Sequence, residues 1–333
     1  MSVKIFFIEK SIPFDSSYLN SPKIGGTEKS LINISNELAK NTNLKIKVFN
    51  LVNNKTYLNN VEWDNIKNIT YNDKPDFLIA FSDANLLSLI EAKKKFLWSH
   101  SVQSIEKFIR KKQLIPFLKY KPILILESEY HYKNRSFFTS LFGKKIIQIA
   151  VDDDFVNTEI NENFIPDKNA IFTTRSDRNL NFLLNCWESI KLKTGNSNLF
   201  VNPPFNLNEN HKKLGVKLRT KGSKLDLIND LIKSRVMLNP GHKGEVFCLA
   251  AEEARELCLP IVTMGYGSLK ERVEHNVTGF IANNKDEFIN YSIKILNDEK
   301  FFFAIKKNLI ERRKKRTYKD VSKDFLQLLN ENN

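Results

Sequence analysis

The chain has 333 residues, 41% of them hydrophobic, a formal net charge of +14 and three cysteines. At about 150 residues per domain, that length predicts two domains with ordinary soluble cores, and no apolar run reaches the ~20 residues that cross a bilayer. Widely spaced Cys186, Cys248 and Cys258 form no CxxC pair, which argues against a zinc site or a disulfide framework and fits a reducing cytoplasm. The positive charge calls for an anionic partner: nucleic acid, an acidic membrane surface or a phosphorylated ligand.

In chain order, the segment from Met1 to Glu9 carries acid early and lacks a small-residue cleavage site, so it reads as a first strand over 4–8 rather than a signal peptide. Lys23-Ile24-Gly25-Gly26-Thr27 is a loop, and 28–40 a helix with Leu31, Ile34 and Leu38 on one face. Strands follow at 44–51 and 76–81, a helix at 83–94, and strands at 95–100, 122–127 and 146–151. The acidic, polar stretch 152–167, which includes Asp152-Asp153-Asp154, interrupts this rhythm and marks the domain junction. Beyond it come strands at 170–173, 199–202, 235–238, 260–263 and 279–282. Helices are expected at 180–191, 224–233, 246–257, 270–274, 285–297 and 299–313, with a last amphipathic one at 318–329. The β-α-β alternation predicts two α/β domains with mostly parallel sheets covered on both faces, and ligands bind outside the carboxyl ends of such strands. A nicotinamide enzyme is disfavoured, because Gly25-Gly26 is all that stands where Gly-x-Gly-x-x-Gly is needed.

Positive charge is clustered at 93–95, 107–121 and 311–316. Each cluster reads as a solvated helix face, but 107–121 interleaves lysines with large apolar side chains and is the candidate for contact with an anionic membrane.

The segment richest in chemistry is Leu238-Asn239-Pro240-Gly241-His242-Lys243-Gly244-Glu245-Val246-Phe247-Cys248-Leu249-Ala250-Ala251-Glu252-Glu253-Ala254. A strand ends in a Pro/Gly loop that feeds a helix, with one carboxylate at the entrance and another two turns in. Eight residues are about 800° of helix, so Glu245 and Glu253 project within about 80° of each other if both are helical; Glu245 outside the helix changes that angle. Free amides at a helix start hold a diphosphate, and a carboxylate accepts hydrogen bonds from the paired hydroxyls of a sugar or ribose. The same pattern also suits a helix with a dipole-favoured first Glu and a surface Glu later.

The continuation, Cys258-Leu259-Pro260-Ile261-Val262-Thr263 and then Gly265-Tyr266-Gly267-Ser268-Leu269-Lys270-Glu271-Arg272-Val273 through Thr278-Gly279-Phe280, separates the two readings. From 235 to 282 the chain resembles the retaining GT-B glycosyltransferases of family 4, the glycosyl transferases group 1 type. Their signature is Glu-x7-Glu running into Glu-Ala, then Gly-x-Pro-Val-Val, a Gly-Gly loop, a Glu-Val-Val-like helix and Thr-Gly-hydrophobic. The resemblance implies two Rossmann-like domains facing across a cleft: an acceptor domain at 1–160, a donor domain at 161–305, and a final segment, 306–333, crossing back to the first. It implies that Glu245 binds the transferred sugar and Glu253 the ribose, that backbone amides of Val246, Phe247, Cys248 and Leu249 complete the anion site, and that Glu252 has no family role. Thr174-Arg175-Ser176-Asp177-Arg178-Asn179 resembles the segment opening the donor domain, which gives Arg175 and Arg178 the diphosphate. Ile24-Gly25-Gly26-Thr27-Glu28 resembles the glycine loop after the first strand, Phe96-Leu97-Trp98-Ser99-His100 the strand ending in a histidine that faces the donor sugar, and Ser128-Glu129-Tyr130 the step after the next strand.

Departures from the pattern mark a divergent member. Asn179, Leu259 and Asn276 stand where glycine is usual, Val246 replaces the glycine after the first Glu, and Arg235 stands where Asp is frequent. The acidic triplet 152–154 takes the place of the boundary loop and is not read as a metal site; no metal and no cofactor are expected.

The function implied is transfer of a sugar from a UDP- or GDP-sugar to a glycan, lipopolysaccharide-type or lipid-linked hydroxyl, with retention, in the cytoplasm or at the inner membrane face, with domain closure expelling water. An epimerase or phosphorylase-like GT-B enzyme is the alternative. A nucleic-acid-binding protein is a distant one, since no RNA platform, finger or helix-turn-helix motif stands out.

Overall fold

The computed structural model describes residues 2–21, 24–220 and 222–332; Met1 and Lys23, named above, lie outside them. The chain divides into two compact units, Met1–Ala150 with Thr317–Asn333, and Val151–Arg316. Among the described residues no helix is long and apolar enough to cross a membrane.

The first unit is built on an eight-stranded sheet. Its strands are β1 (Val3–Ile8), β2 (Leu44–Asn50), β3 (Thr56–Leu58), β4 (Val61–Asn65), β5 (Phe77–Phe81), β6 (Lys94–Trp98), β7 (Ile123–Leu126) and β8 (Lys144–Ile146), in the order β3-β4-β2-β1-β5-β6-β7-β8. All neighbours are parallel except β3 and β4. Apolar runs such as Ile5-Phe6-Phe7-Ile8 are buried on both faces, as a covered parallel sheet requires. Helices α1 (Gly26–Leu38), α2 (Ile105–Arg110), α3 (Leu114–Tyr120) and α4 (Glu129–Asn134) fill the crossovers. The edge pair β3 and β4, with buried Trp63, and the short α2 and α3 are additions to the expected elements.

The helix expected at 83–94 is absent; a five-residue 3-10 helix, Ala84–Ser88, stands there. Ser82, at φ 54, turns the chain sharply off β5, and the Asp83 side chain caps the turn by accepting from Asn85 N. Lys95 Nζ then donates to Leu87 O at 2.7 Å, occupying a carbonyl that a continuing helix would use.

The second unit holds six parallel strands: β9 (Asn169–Phe172), β10 (Asn198–Val201), β11 (Val216–Leu218), β12 (Val236–Leu238), β13 (Ile261–Thr263) and β14 (Gly279–Ile281), in the order β11-β10-β9-β12-β13-β14. Its helices are α5 (Asp153–Asn157), α6 (Leu180–Thr194), α7 (Glu209–Lys213), α8 (Lys224–Ile232), α9 (Leu249–Glu256), α10 (Lys285–Asn297) and α11 (Glu299–Glu311). Alternate strand residues face opposite cores. Phe172, Leu199, Val236, Leu238 and Phe280 pack with the α6, α10 and α11 side, whereas Ile171, Met237 and Ile261 pack with α8 and α9. The strand order reverses between β9 and β12, which places the ligand-binding switch point at the carboxyl ends of those two strands. Asp152 and Asp154 are both taken by Lys224 Nζ, at 2.9 and 3.0 Å.

The last helix, α12 (Tyr318–Asn330), belongs to the first unit. Phe325 lies 4.8 Å from the Trp98 ring and 6.4 Å from Phe7, and Tyr318 Oη donates to Ser30 Oγ of α1 at 3.0 Å.

Candidate functional site

The switch point of the second unit brings three of the sequence segments together. β9 runs into Thr173–Arg178, and β12 into the loop that ends at Cys248. Arg178 NH1 donates to His242 Nδ1 at 2.6 Å, and Gly244 N donates to the same nitrogen at 2.9 Å. That nitrogen therefore offers its lone pair, and the ring proton sits on Nε2. Glu245 N donates to His242 O at 3.0 Å, which fixes the turn carrying the carboxylate. The Glu245 side chain is buried; Cys248 Sγ donates to Oε1 at 3.6 Å, and Oε2 has no hydrogen-bond partner among the described residues. Burial pushes its carboxyl up, and the charge of nearby Arg178 pulls it partly back. Three more buried oxygens around this corner, Thr173 Oγ1, Thr174 Oγ1 and Ser268 Oγ, also lack partners among the described residues. Buried polar atoms cost about 1–3 kcal/mol when unsatisfied, so such a group of them marks a surface shaped for a polar ligand.

The loop is held by its neighbour. Ser268 N donates to Glu245 O at 2.9 Å. Gly267, at φ 68, sits so close that a Cβ there would run into His242 O and Glu245 O. Only glycine allows this approach.

The helix after the loop starts at Leu249, not at 246 as its pattern predicts. Cys248 is the reason: it adopts φ 59, ψ 70, left-handed geometry that interrupts the helix. Glu245 is thus outside α9, and the angle computed for two helical glutamates does not apply. Glu253 is half-buried on α9. Its neighbour Glu252 is buried, with Arg272 NH1 at 3.2 Å, Lys314 Nζ at 3.3 Å and Arg255 NH1 at 3.4 Å. Val246, Phe247 and Cys248 are buried and Leu249 half-buried, so their backbone lies at the helix start. Arg175 is turned into solvent, its side chain 75% exposed and paired with Asp177 at 2.6 Å. The structure therefore gathers Arg178 and Glu245 and leaves Arg175 apart. His242 was missed in the sequence; its signal was the position three residues before Glu245 in a Pro/Gly loop.

The remaining candidates belong to the first unit. Gly25 is the N-cap of α1, its amide donating to Glu28 Oε2 at 3.0 Å, and Gly26 is the helix's first residue. His100 follows β6, stacked on Phe81 at 4.9 Å. Its Nδ1 lies 3.3 Å from Ser82 Oγ and its Nε2 3.4 Å from Glu127 Oε1, the buried residue that follows β7. Burial, reinforced by His131, holds the His100 imidazole down to about 3, so the ring is neutral. Ser128 caps α4 by accepting from His131 N at 3.0 Å.

Residues 207–316 match the family described as Glycosyl transferases group 1. No curated protein sequence matches the chain significantly. Among solved structures, HepE of Anabaena in complex with UDP-glucose superposes with a TM-score of 0.70 at 14% identity, covering 98% of this chain and 99% of that one. Sucrose-phosphate synthase from Thermosynechococcus elongatus gives 0.70 at 11% identity, covering 99% and 98%. WaaG, a glycosyltransferase involved in lipopolysaccharide biosynthesis, gives 0.69 at 12% identity, covering 98% and 99%. The fold is the two-domain, Rossmann-like GT-B fold, and the second unit carries the group 1 glycosyl transferase region.

Proposed function

We infer that this chain, carrying the group 1 region on a GT-B fold, is a glycosyltransferase that moves a sugar from a nucleoside diphosphate to an acceptor hydroxyl with retention of anomeric configuration. The observation that carries the reading is the corner at the β9/β12 switch point. There Arg178 and Glu245, with its open carboxylate oxygen, are held on one loop system with Ser268, and Thr173 and Thr174, with unpartnered hydroxyls, follow β9. In this reading Glu245 Oε2 accepts from a hydroxyl of the transferred sugar and Glu253 from the ribose. Arg178, oriented by His242, grips the diphosphate, with the backbone amides of 246–249 beside it. Arg178 also offsets charge that develops on the leaving nucleoside diphosphate, the electrostatic share of such catalysis. Arg175 joins by releasing Asp177, at small cost for so exposed a pair. Neutral His100 in the first unit offers a ring N–H to a sugar hydroxyl. The thiol beside the carboxylate, Cys248, is held protonated chiefly by burial, which disfavours it as a covalent nucleophile and favours front-face attack.

A UDP-sugar is the first donor to try, since HepE was crystallised with UDP-glucose; GDP-sugars are the second. The acceptor proposed is a glycan or a lipid-linked or lipopolysaccharide-type saccharide, met by the first unit in the cytoplasm at an anionic membrane face. Support comes from α2, α3 and the segment after α4. They share a ring cluster, buried Phe108 and Phe117 with half-buried Phe138, and expose Ile105, Ile109, Ile115, Leu118, Phe137 and Leu141 among lysines and arginines.

Calorimetric titration with a panel of UDP- and GDP-sugars, followed by product analysis, tests the reading. One donor should bind, and Glu245→Ala should weaken it by about tenfold to a hundredfold, the loss of a hydrogen bond to a charged group. An isomerised sugar or a sugar phosphate as product would favour the epimerase or phosphorylase reading, and no binding of any member would sink both.

A further inference from the structure

Positive charge accumulates in the second unit along the side of α9 that carries Glu252. Glu252 faces three cations, Arg272, Arg255 and the half-exposed Lys314, each within 3.4 Å. Counting Glu252, the surrounding side chains comprise five cations and three carboxylates. Buried charge left without a counter-charge is costly.

Arg272 is the most enclosed, its side chain 1% exposed. Its Nε donates to Phe247 O at 2.9 Å, and its guanidinium lies 4.1 Å from the Phe247 ring. Its remaining terminal nitrogen, NH2, is buried and has no acceptor among the described residues; Arg255 Nε is in the same position. Burial and the neighbouring arginines hold the Lys314 ammonium below its ordinary range, although Glu252 works the other way. All three cations line one cavity of about 370 Å³, together with Lys270, Arg312, Glu271 and Glu274. Glu274 is taken by Arg312, at 3.4 Å from its Nε. Neither Glu245, Arg178 nor His242 is part of this lining.

We propose that this cavity binds a small phosphate-bearing effector, its oxygens accepting hydrogen bonds from Arg272, Arg255, Lys314 and Arg312. A phosphate group supplies the missing negative charge. It also supplies several acceptors at once, and the planar fork of a guanidinium matches them in pairs. A concave site of this size suits a soluble phosphate better than a head group lying in a bilayer plane. Through Arg272 the ligand sits one side chain away from the Phe247 carbonyl, and so from the loop that carries Glu245.

The test is calorimetric titration of the full chain with inorganic phosphate, beside sedimentation with phosphatidylglycerol vesicles. Two double variants separate the sites: Arg312→Gln with Lys314→Gln at the cavity, and Arg175→Ala with Arg178→Ala at the switch point. Lys270→Gln is the fallback if the cavity double variant melts early. The expected result is one saturable, salt-sensitive phosphate site, weakened roughly tenfold or more by the cavity variants, about one charge-assisted hydrogen bond, and retained by the switch-point variant. Loss of binding in the switch-point variant alone assigns the phosphate to the donor corner and overturns the proposal, as does no saturable binding at millimolar phosphate. Vesicle binding that depends on Arg312 and Lys314 without any response to free phosphate also overturns it, in favour of a lipid head group.

Discussion

His100 illustrates what a single side chain costs and supplies. Held at about 3 against an ordinary 6.5, it must stay neutral to remain where it is. The unfolded chain takes the proton more readily, so the stability tied to this ring is complete above about pH 6.5 and drains away as pH falls toward 3. His131, held down to about 4 chiefly by burial, acts with the same sign. The thermal midpoint should therefore drop between pH 7 and pH 5, and His100→Gln should make that slope shallower without removing it; an unchanged slope would refute the assignment. Other single residues explain the departures from the family pattern. Asn179 and Asn276 stand where glycine is usual, at φ 64 and φ 65. Asparagine is among the few side chains that enter left-handed geometry at modest cost, so the glycine is replaced but its backbone role survives. Arg235, in place of an acid, is buried and gives its guanidinium to Pro166 O and Leu296 O. Cys248 is different: its identity carries no signal of a left-handed backbone, which is why the start of α9 could not be read from its letters.

At the scale of elements, legibility followed local determinants. The helix at 285–297 matches α10 end for end, because Asn284 caps it and an apolar face repeats along it. The segment 83–94 has helix-forming letters but is closed by contacts from Ser82 and Lys95, which periodicity does not contain. Short α2 and α3 lie within a stretch read as a basic, apolar helix face without bounds for its elements. Their shape gives that stretch a testable consequence. With Ile109 and Ile115 59% and 78% exposed beside lysines, the pair should associate reversibly with anionic vesicles. Replacing both isoleucines by Asp should abolish co-sedimentation with phosphatidylglycerol vesicles while leaving nucleotide-sugar binding intact. Equal binding of the unmodified chain to neutral and anionic vesicles would remove the membrane from its partners.

For the whole molecule, the sequence predicted two α/β units with parallel sheets, and the alternation of strands and helices was enough for that. Which strands lie side by side was beyond it: the reversal between β9 and β12, which creates the site, depends on pairing across tens of residues. Arg178 and Glu245 could be singled out in the sequence only through the family resemblance, and the unsatisfied hydroxyls such as those of Thr173 and Ser268 not at all, because they look ordinary in sequence. The discontinuous first unit has a consequence for stability. Helix α12 buries Val321, Phe325, Leu328 and Leu329 in that unit, and each such side chain is worth about 1.5–3 kcal/mol. A chain ending at residue 316 should lose a large part of the first unit's stability, given a typical net of about 5–15 kcal/mol. Hydrogen exchange should show faster exchange across β1 and α1, with β9 to β14 protected as before; full protection of β1 would contradict the role given to α12.

The same split sets an order of events during synthesis. The second unit has its whole sequence once residue 316 has emerged, whereas the first must wait for the final helix. At about 5–20 residues per second, the first unit has its strands β1 to β8 but lacks α12 for roughly ten to forty seconds after residue 150 is made. Through that interval the faces that will receive Phe325 and Leu328 are open to chaperones, and to other nascent chains.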